Sequence, residues 1–270
     1  MNKFLTYLTP IFKIPYKVQE KIKFVIDLKR YNRSEYEEKQ NKIFNKINLD
    51  RSSGIEKLQS IKKKFDLKIQ RSMSSEHETL FSSIAINNNY KIHKILEIGT
   101  FDGYNALLLS KIFPEAEIET IDLPNDNSKF RDSYQRSDRV DTFIKKRDET
   151  LRKSNNITFN QINSIELVNH NKKYDLIWID GAHGYPIVCI DIINSLKLIN
   201  DKGIILCDDV YLDLKISKSD EMYNSLASYE TLKVLADQKL IKLELIFKRL
   251  GSKDNCSDNQ RKFIAVVFKN

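Results

Sequence analysis

Five acidic residues, one histidine and two glycines stand where this chain can do chemistry: Glu97, Asp122, Asp180, Asp208, Asp209, His183, Gly99 and Gly103. The apolar run Ile95–Ile98 reads as a buried strand that breaks at Gly99, turns through Gly103 and enters an apolar helical pattern at once. A strand turning on glycines into a helix sets backbone N–H groups and the positive helix end beside a ligand. Glu97 lies inside that strand, where a carboxylate without a hydrogen-bonding or cationic partner is costly. Asp122 closes the next strand, about 20 residues on, and an acid there can take both hydroxyls of a ribose; a turn role is its plain alternative. Asn163-Ser164, after the third strand, can offer amide and hydroxyl groups to an adenine edge or simply cap a helix. The spacing Gly99-x-x-x-Gly103 lacks the close-approach glycine that a pyrophosphate needs, so a ligand with ribose and adenine but no pyrophosphate fits better.

A second group follows strands four and five: Asp180-Gly-Ala-His-Gly-Tyr185 and Cys207-Asp-Asp-Val210. If those strands are neighbours, Asp180, Asp208 and Asp209 converge at one sheet edge. Three carboxylates together repel one another unless a cation lies between them, and oxygen-only ligation suits Mg²⁺, Mn²⁺ or Ca²⁺. The alternative is that one aspartate caps a helix and another faces solvent. His183, three residues after Asp180, can as a neutral imidazole take a proton from a bound hydroxyl; a structural histidine is the bland reading.

The elements that must position these residues form a strand–helix alternation. It predicts strands at 95–98, 117–121, 157–162, 174–179, 203–207, 241–248 and 262–268, and helices at 103–112, 186–199 and 221–238. Ser74-Ser75-Glu76 is expected to cap a further helix through Leu80, Phe81 and Ile84, and 125–154 to be partly helical. Such a pattern makes an α/β fold with a mainly parallel sheet covered on both faces. Residues 249–261 leave no room for a helix, so the last two strands should be antiparallel. Four of the seven glycines follow predicted strands, at the carboxyl edge where open α/β sheets bind ligands. Trp178, Tyr185 and Tyr211 are equally placed to line a pocket or to belong to core and surface.

At 270 residues with mean hydropathy −0.47, the chain has room for one sizeable core and an appendage. It contains no apolar run long enough to span a membrane, and its first residues lack a secretory h-region and cleavage site. Cys189, Cys207 and Cys256 are odd in number and lack metal-ligand spacing, which points to free thiols in a reducing, cytoplasmic compartment. The net charge of +8 is uneven: residues 1–75 hold 18 Lys/Arg against 8 Asp/Glu, the rest 27 against 29. The division expected is a basic helical extension over 1–72 and a catalytic body over 73–270. The extension is expected to pack on the body or a second subunit, or to touch an acidic partner or an anionic membrane, the latter through residues 1–30.

Taken together, Leu96-Glu-Ile-Gly-Thr-Phe-Asp-Gly-Tyr-Asn105, Asp122, Asp180, His183 and Asp208-Asp209 resemble the class I S-adenosylmethionine-dependent methyltransferases. The likeness is to the metal-dependent O-methyltransferases of the catechol, caffeoyl-coenzyme A and macrolide sugar types, over residues 74–270. It implies a Rossmann-like sheet of seven strands, the last antiparallel, with helices on both faces. It implies that Glu97, Gly99, Phe101 and Gly103 surround the methionine part of S-adenosylmethionine, with Asn105 where a serine is common. Asp122 takes the ribose, and Asn163, Ser164 and Asp180 flank the cofactor. Asp180, Asp208 and Asp209 fall on the family's metal ligands, Mg²⁺ first among candidates, although Asp-Asp replaces the usual Asp-Asn. His183 is the implied catalytic base, with Asp180 beside it.

The activity implied is methyl transfer to the hydroxyl of a small molecule or sugar, assisted by the divalent cation. An RNA or protein methyltransferase using the basic extension is the runner-up, and a non-catalytic cofactor-binding module the third reading. An acidic loop that repels phosphate and the absence of an Asn-Pro-Pro-Tyr-type loop argue against nucleic acid. A homo-oligomer is a further arrangement the chain is compatible with.

Overall fold

Apolar residues on both sides of the central strands call for a sheet covered on two faces. The computed structural model describes residues 32–67, 75–132, 139–213, 225–251 and 261–270. Its strands are β1 (Lys94–Ile98), β2 (Glu117–Asp122), β3 (Ile157–Gln161), β4 (Tyr174–Ile179), β5 (Ile199–Tyr211), β6 (Ile241–Phe247) and β7 (Lys262–Lys269). They form one seven-stranded sheet in the order β3-β2-β1-β4-β5-β7-β6. β7 alone runs against its neighbours β5 and β6, as the short connection before it requires. The order reverses direction between β1 and β4, and such a switch point opens a crevice at the carboxyl edge.

The helices are α1 (Arg33–Lys46), α2 (Arg51–Lys64), α3 (His77–Ala85), α4 (Tyr104–Ile112), α5 (Ser128–Asp132), α6 (Val140–Leu151), α7 (Ile187–Leu198) and α8 (Ala227–Asp237), with a 3-10 turn at Ser164–Asn169. Strand residues alternate between two cores. Ile95, Leu176, Trp178, Ile204 and Leu206 pack with Phe44, Leu58, Leu80, Phe81 and Leu108 of α1 to α4. Leu96, Ile98, Ile177, Ile179 and Ile205 pack with Val188, Ile192 and Leu232 of α7 and α8.

The described part of the N-terminal segment joins the body through polar ties as well. The Gln40 side chain donates to the carbonyl of Phe247 and accepts from its N–H, both at 3.0 Å, and so continues the outer edge of β6. Arg51 holds Glu76 through two nitrogens at 2.7 and 3.0 Å. This alters the expected start of α3. Glu76 occupies the cap position without a side-chain cap bond, its carboxylate being drawn to Arg51. Ser75 Oγ reaches the His77 N–H only at 3.5 Å, and Ser74 lies outside the described residues. Residues 1–31, including the stretch expected to meet a membrane, also lie outside them, as do 221–224 at the start of the expected last helix.

β5 is much longer than the 203–207 expected. Its start pairs with Tyr174 of β4, and its end continues past a register shift to pair with Phe263 and Lys262 of β7. That shift lies at Asp208-Asp209, and Asp209 is left-handed with φ 50°. A β-bulge re-aims side chains at a sheet edge, and here it turns two carboxylates toward the crevice. Among the described residues no helix is long and apolar enough to cross a membrane.

Candidate active site

The β1–α4 turn is built by backbone geometry that glycine alone adopts without strain. Gly99 has φ 103° and Gly103 φ 75°, and between them Phe101 is left-handed at φ 48°. A Cβ on Gly99 would stand 2.3 Å from the Asp180 carbonyl oxygen and 2.7 Å from its carbon. The first ligand loop and the loop after β4 thus touch backbone to backbone, and the Asp180 N–H donates to the Ile98 carbonyl at 2.8 Å. On the other side, Asp122 accepts from the Phe101 N–H at 3.2 Å. Glu97, Gly99, Phe101, Gly103, Asp122 and Asp180 are therefore brought to one sheet edge.

Glu97 is fully buried. The partners its position demands are Asn105, whose amide donates at 2.7 Å, and Thr120, whose hydroxyl donates at 2.5 Å from the paired position on β2. Burial pushes its carboxyl up to about 8, and the charges of Asp180 and Asp122 add to the rise, while the two hydrogen bonds oppose it. Asn105 keeps a buried Oδ1 without a hydrogen-bond partner among the described residues. These acids around the turn suit a cationic ligand such as a sulfonium, whose charge would relieve their mutual repulsion. Asn163 is engaged as a helix cap, its side chain accepting from the Ile165 N–H at 3.1 Å in a capping box with Glu166. The neighbouring Ser164 carbonyl accepts from Asn194 at 3.3 Å.

His183 is only 4% exposed. Its Nε2 stands 3.5 Å from Asp180 Oδ1 and 4.0 Å from Asp209 Oδ2, and its Nδ1 is buried without a hydrogen-bond partner among the described residues. Burial works against the imidazolium, but the Asp180 hydrogen bond and the Asp209 and Asp180 charges outweigh it and raise the affinity for a proton. Burial and the Asp208 charge push Asp180 up to about 6 in turn, with His183 and Lys248 pulling it down.

The aspartate cluster converges as the sequence predicts, but its centre is filled. Lys248 Nζ lies 2.5 Å from both Asp208 Oδ2 and Asp209 Oδ1, and Lys262 Nζ lies 2.8 Å from Asp209 Oδ2. Burial opposes the charge on Lys248, yet Asp208, Asp209 and Asp180 hold it well above the ordinary lysine value. Among the described residues no group of three or more His, Cys, Asp or Glu is arranged to hold a metal ion. Of the expected ligand set Asp180, Asp208 and Asp209, the last two therefore hold the Lys248 ammonium between them. Lys248 and Lys262 were not legible as site residues from spacing. The signal lay in the final hairpin, because an antiparallel β7 starts at the same carboxyl edge at which β6 ends.

Of the aromatic candidates, Trp178 is core, its ring 5.1 Å from Phe81 and 5.2 Å from His77. Tyr185 is 79% exposed, and the Tyr211 ring has Lys262 Nζ 5.2 Å from its centroid.

Beneath the Asp180–His183 loop, Asp191 of α7 is fully buried and neither carboxylate oxygen has a hydrogen-bond partner among the described residues. Burial pushes it up to about 6, with Ser164 and His183 nearby pulling the other way. A carboxyl raised in the folded state binds protons more readily folded than unfolded. Its contribution is therefore most favourable below about pH 4 and is lost as pH rises through about 6, a span of at most about 3 kcal/mol. Asp191→Asn should then stabilise the protein at pH 7.5, with the gain shrinking toward pH 4.5. Urea midpoints at the two pH values check this, and an equal difference at both would contradict it.

Residues 96–210 match the profile of a methyltransferase domain family. The fold is similar to the O-methyltransferase TomG from Streptomyces achromogenes, involved in tomaymycin synthesis and solved with S-adenosylmethionine. The TM-score is 0.51 at 15% identity, over 86% of this chain and 98% of that one. It is also similar to the Podospora anserina methyltransferase PaMTH1 bound to S-adenosylhomocysteine, with TM-score 0.50 at 15% identity over 95% of this chain and 97% of that one. At such identities the likeness is one of fold. No curated protein sequence matches significantly.

Proposed function

We propose that this chain is a class I S-adenosylmethionine-dependent methyltransferase that methylates a hydroxyl of a small molecule or sugar with His183 as base, a reading supported by the methyltransferase-domain match over residues 96–210 and by the fold likeness to TomG. The observation that carries this reading is the buried His183, set between Asp180 and Asp209 on the loop whose backbone abuts the glycine turn. Gly99, Phe101 and Gly103 form the cradle for S-adenosylmethionine, Asp122 takes its ribose, and Asn163 and Ser164 flank its adenine. Glu97, held by Asn105 and Thr120, supports the turn from below.

S-adenosylmethionine supplies an activated methyl group: the acceptor oxygen forms a bond to that carbon as the carbon–sulfur bond breaks. The protein's own work is to orient the acceptor and remove its proton. Neutral His183 takes that proton, and the resulting imidazolium is stabilised by Asp180 and Asp209. Lys248 is no rival for this role, since the aspartates keep it protonated. The O-methyltransferase neighbour TomG, with its role in tomaymycin synthesis, supports a small-molecule acceptor.

The experiment is incubation of the full chain with methyl-labelled S-adenosylmethionine and matched panels of hydroxylated and aminated small molecules. Label in the hydroxyl panel is the expected result; label confined to amines, RNA or protein would overturn the reading.

A further inference from the structure

We infer that Lys248, backed by Lys262, is a built-in counter-cation standing in place of a divalent metal, so that the site neither binds nor needs one. The inference rests on the methyltransferase reading only for its catalytic consequence. A divalent cation bound by carboxylates sits about 2.0–2.6 Å from their oxygens. The space between the Asp208 and Asp209 carboxylates is already held by Lys248 Nζ, hydrogen-bonded to one oxygen of each. Ion and ammonium cannot share it, and like charges at that separation repel strongly where water is scarce. Lys248 has little room to withdraw, being only 7% exposed.

The hairpin that delivers the two ammoniums is fixed by the sheet. The Lys248 N–H donates to the Lys262 carbonyl at 2.9 Å, and Lys262 pairs with Tyr211 just beyond the bulge that carries the aspartates. The charges are matched as well. Two ammoniums face Asp208 and Asp209 and leave Asp180 to His183, so the cluster holds together without an external cation. The oxygen Asp208 Oδ1 stays buried without a partner among the described residues, beside an ammonium that already satisfies its twin. Lys248 is thus a positioning residue. It fixes Asp209, and through Asp209 the charge that His183 faces. An acceptor taken up here needs no pair of oxygens to chelate an ion.

The test is titration of the chelator-treated full chain with Mn²⁺, read by loss of the free-ion electron paramagnetic resonance signal. The wild-type chain is expected to leave Mn²⁺ free up to roughly millimolar concentration. The double variant Lys248→Met, Lys262→Met exposes the aspartates and should bind Mn²⁺ at least about tenfold more tightly, with Asp208→Asn in that background cancelling the gain. One Mn²⁺ per wild-type chain, lost on Asp208→Asn, would overturn the inference, as would a folded double variant that gains nothing. The wild-type measurement decides even if the double variant does not fold. S-adenosylmethionine binding by the same samples reports separately on the methyltransferase reading.

Discussion

Gly99→Ala is expected to destabilise the protein by roughly 2–5 kcal/mol and to abolish S-adenosylmethionine binding. Two costs combine at this position. The residue is left-handed with φ 103°, a conformation that costs an L-residue about 1–2 kcal/mol. The new methyl would also stand 2.3 Å from the Asp180 carbonyl oxygen and 2.9 Å from the Gly181 nitrogen, so backbone and not a flexible side chain must move. Such overpacking typically adds about 1–3 kcal/mol. Relief comes only by parting the turn after β1 from the loop after β4, which separates Phe101 and Asp122 from Asp180 and His183. Gly251→Ala is the matched control, since a Cβ there meets nothing within 4 Å. Denaturation midpoints of the two variants check the claim, and indistinguishable midpoints would sink it.

His183→Ala should lower kcat by about 10²- to 10⁴-fold, the usual contribution of a positioned proton acceptor, while leaving S-adenosylmethionine affinity close to wild type. The imidazole touches Asp180 and Asp209 and is buried, so its loss leaves a small cavity and two carboxylates facing each other across it. Soaking imidazole into that space should restore part of the rate, a response that a purely structural histidine would not give. Asp180→Asn should fall between the two proteins, because it keeps the shape but withdraws the charge that favours the imidazolium. Single-turnover transfer of labelled methyl separates these outcomes from binding. A variant within threefold of wild type, or one that loses cofactor affinity instead of rate, would show that His183 is not the base.

How far the sequence discloses this site depends on how local each feature is. The β1–α4 turn is legible because its requirement is local: an apolar strand, two glycines and a helix in one stretch of chain. The carboxyl-edge placement of Asp122 and Asp180 follows from strand–helix alternation. Glu97 visibly needs a partner, but Thr120 is identified only by the β1–β2 register that sets the two side by side. The aspartate cluster is half legible. Adjacent strands bring the carboxylates together, whereas the bulge at Asp208-Asp209 exists only against β7. The two ammoniums at the aspartates are a long-range feature, since Lys248 and Lys262 reach them from about 40 and 53 positions away in sequence. Asn163 illustrates the opposite case. Its plain reading as a helix cap is what the chain forms, and any contact with adenine must share the side chain with that cap.

The central claim is that the turn at 99–103, closed by Asp122, holds S-adenosylmethionine. Calorimetric titration of S-adenosylmethionine into the full chain, in the presence of chelator, tests it directly. The account predicts one molecule bound per chain without added metal, and an affinity at least about tenfold weaker in Asp122→Ala, consistent with removal of a charged hydrogen-bond acceptor. No binding by the wild-type chain, or binding that Asp122→Ala leaves untouched, would contradict it.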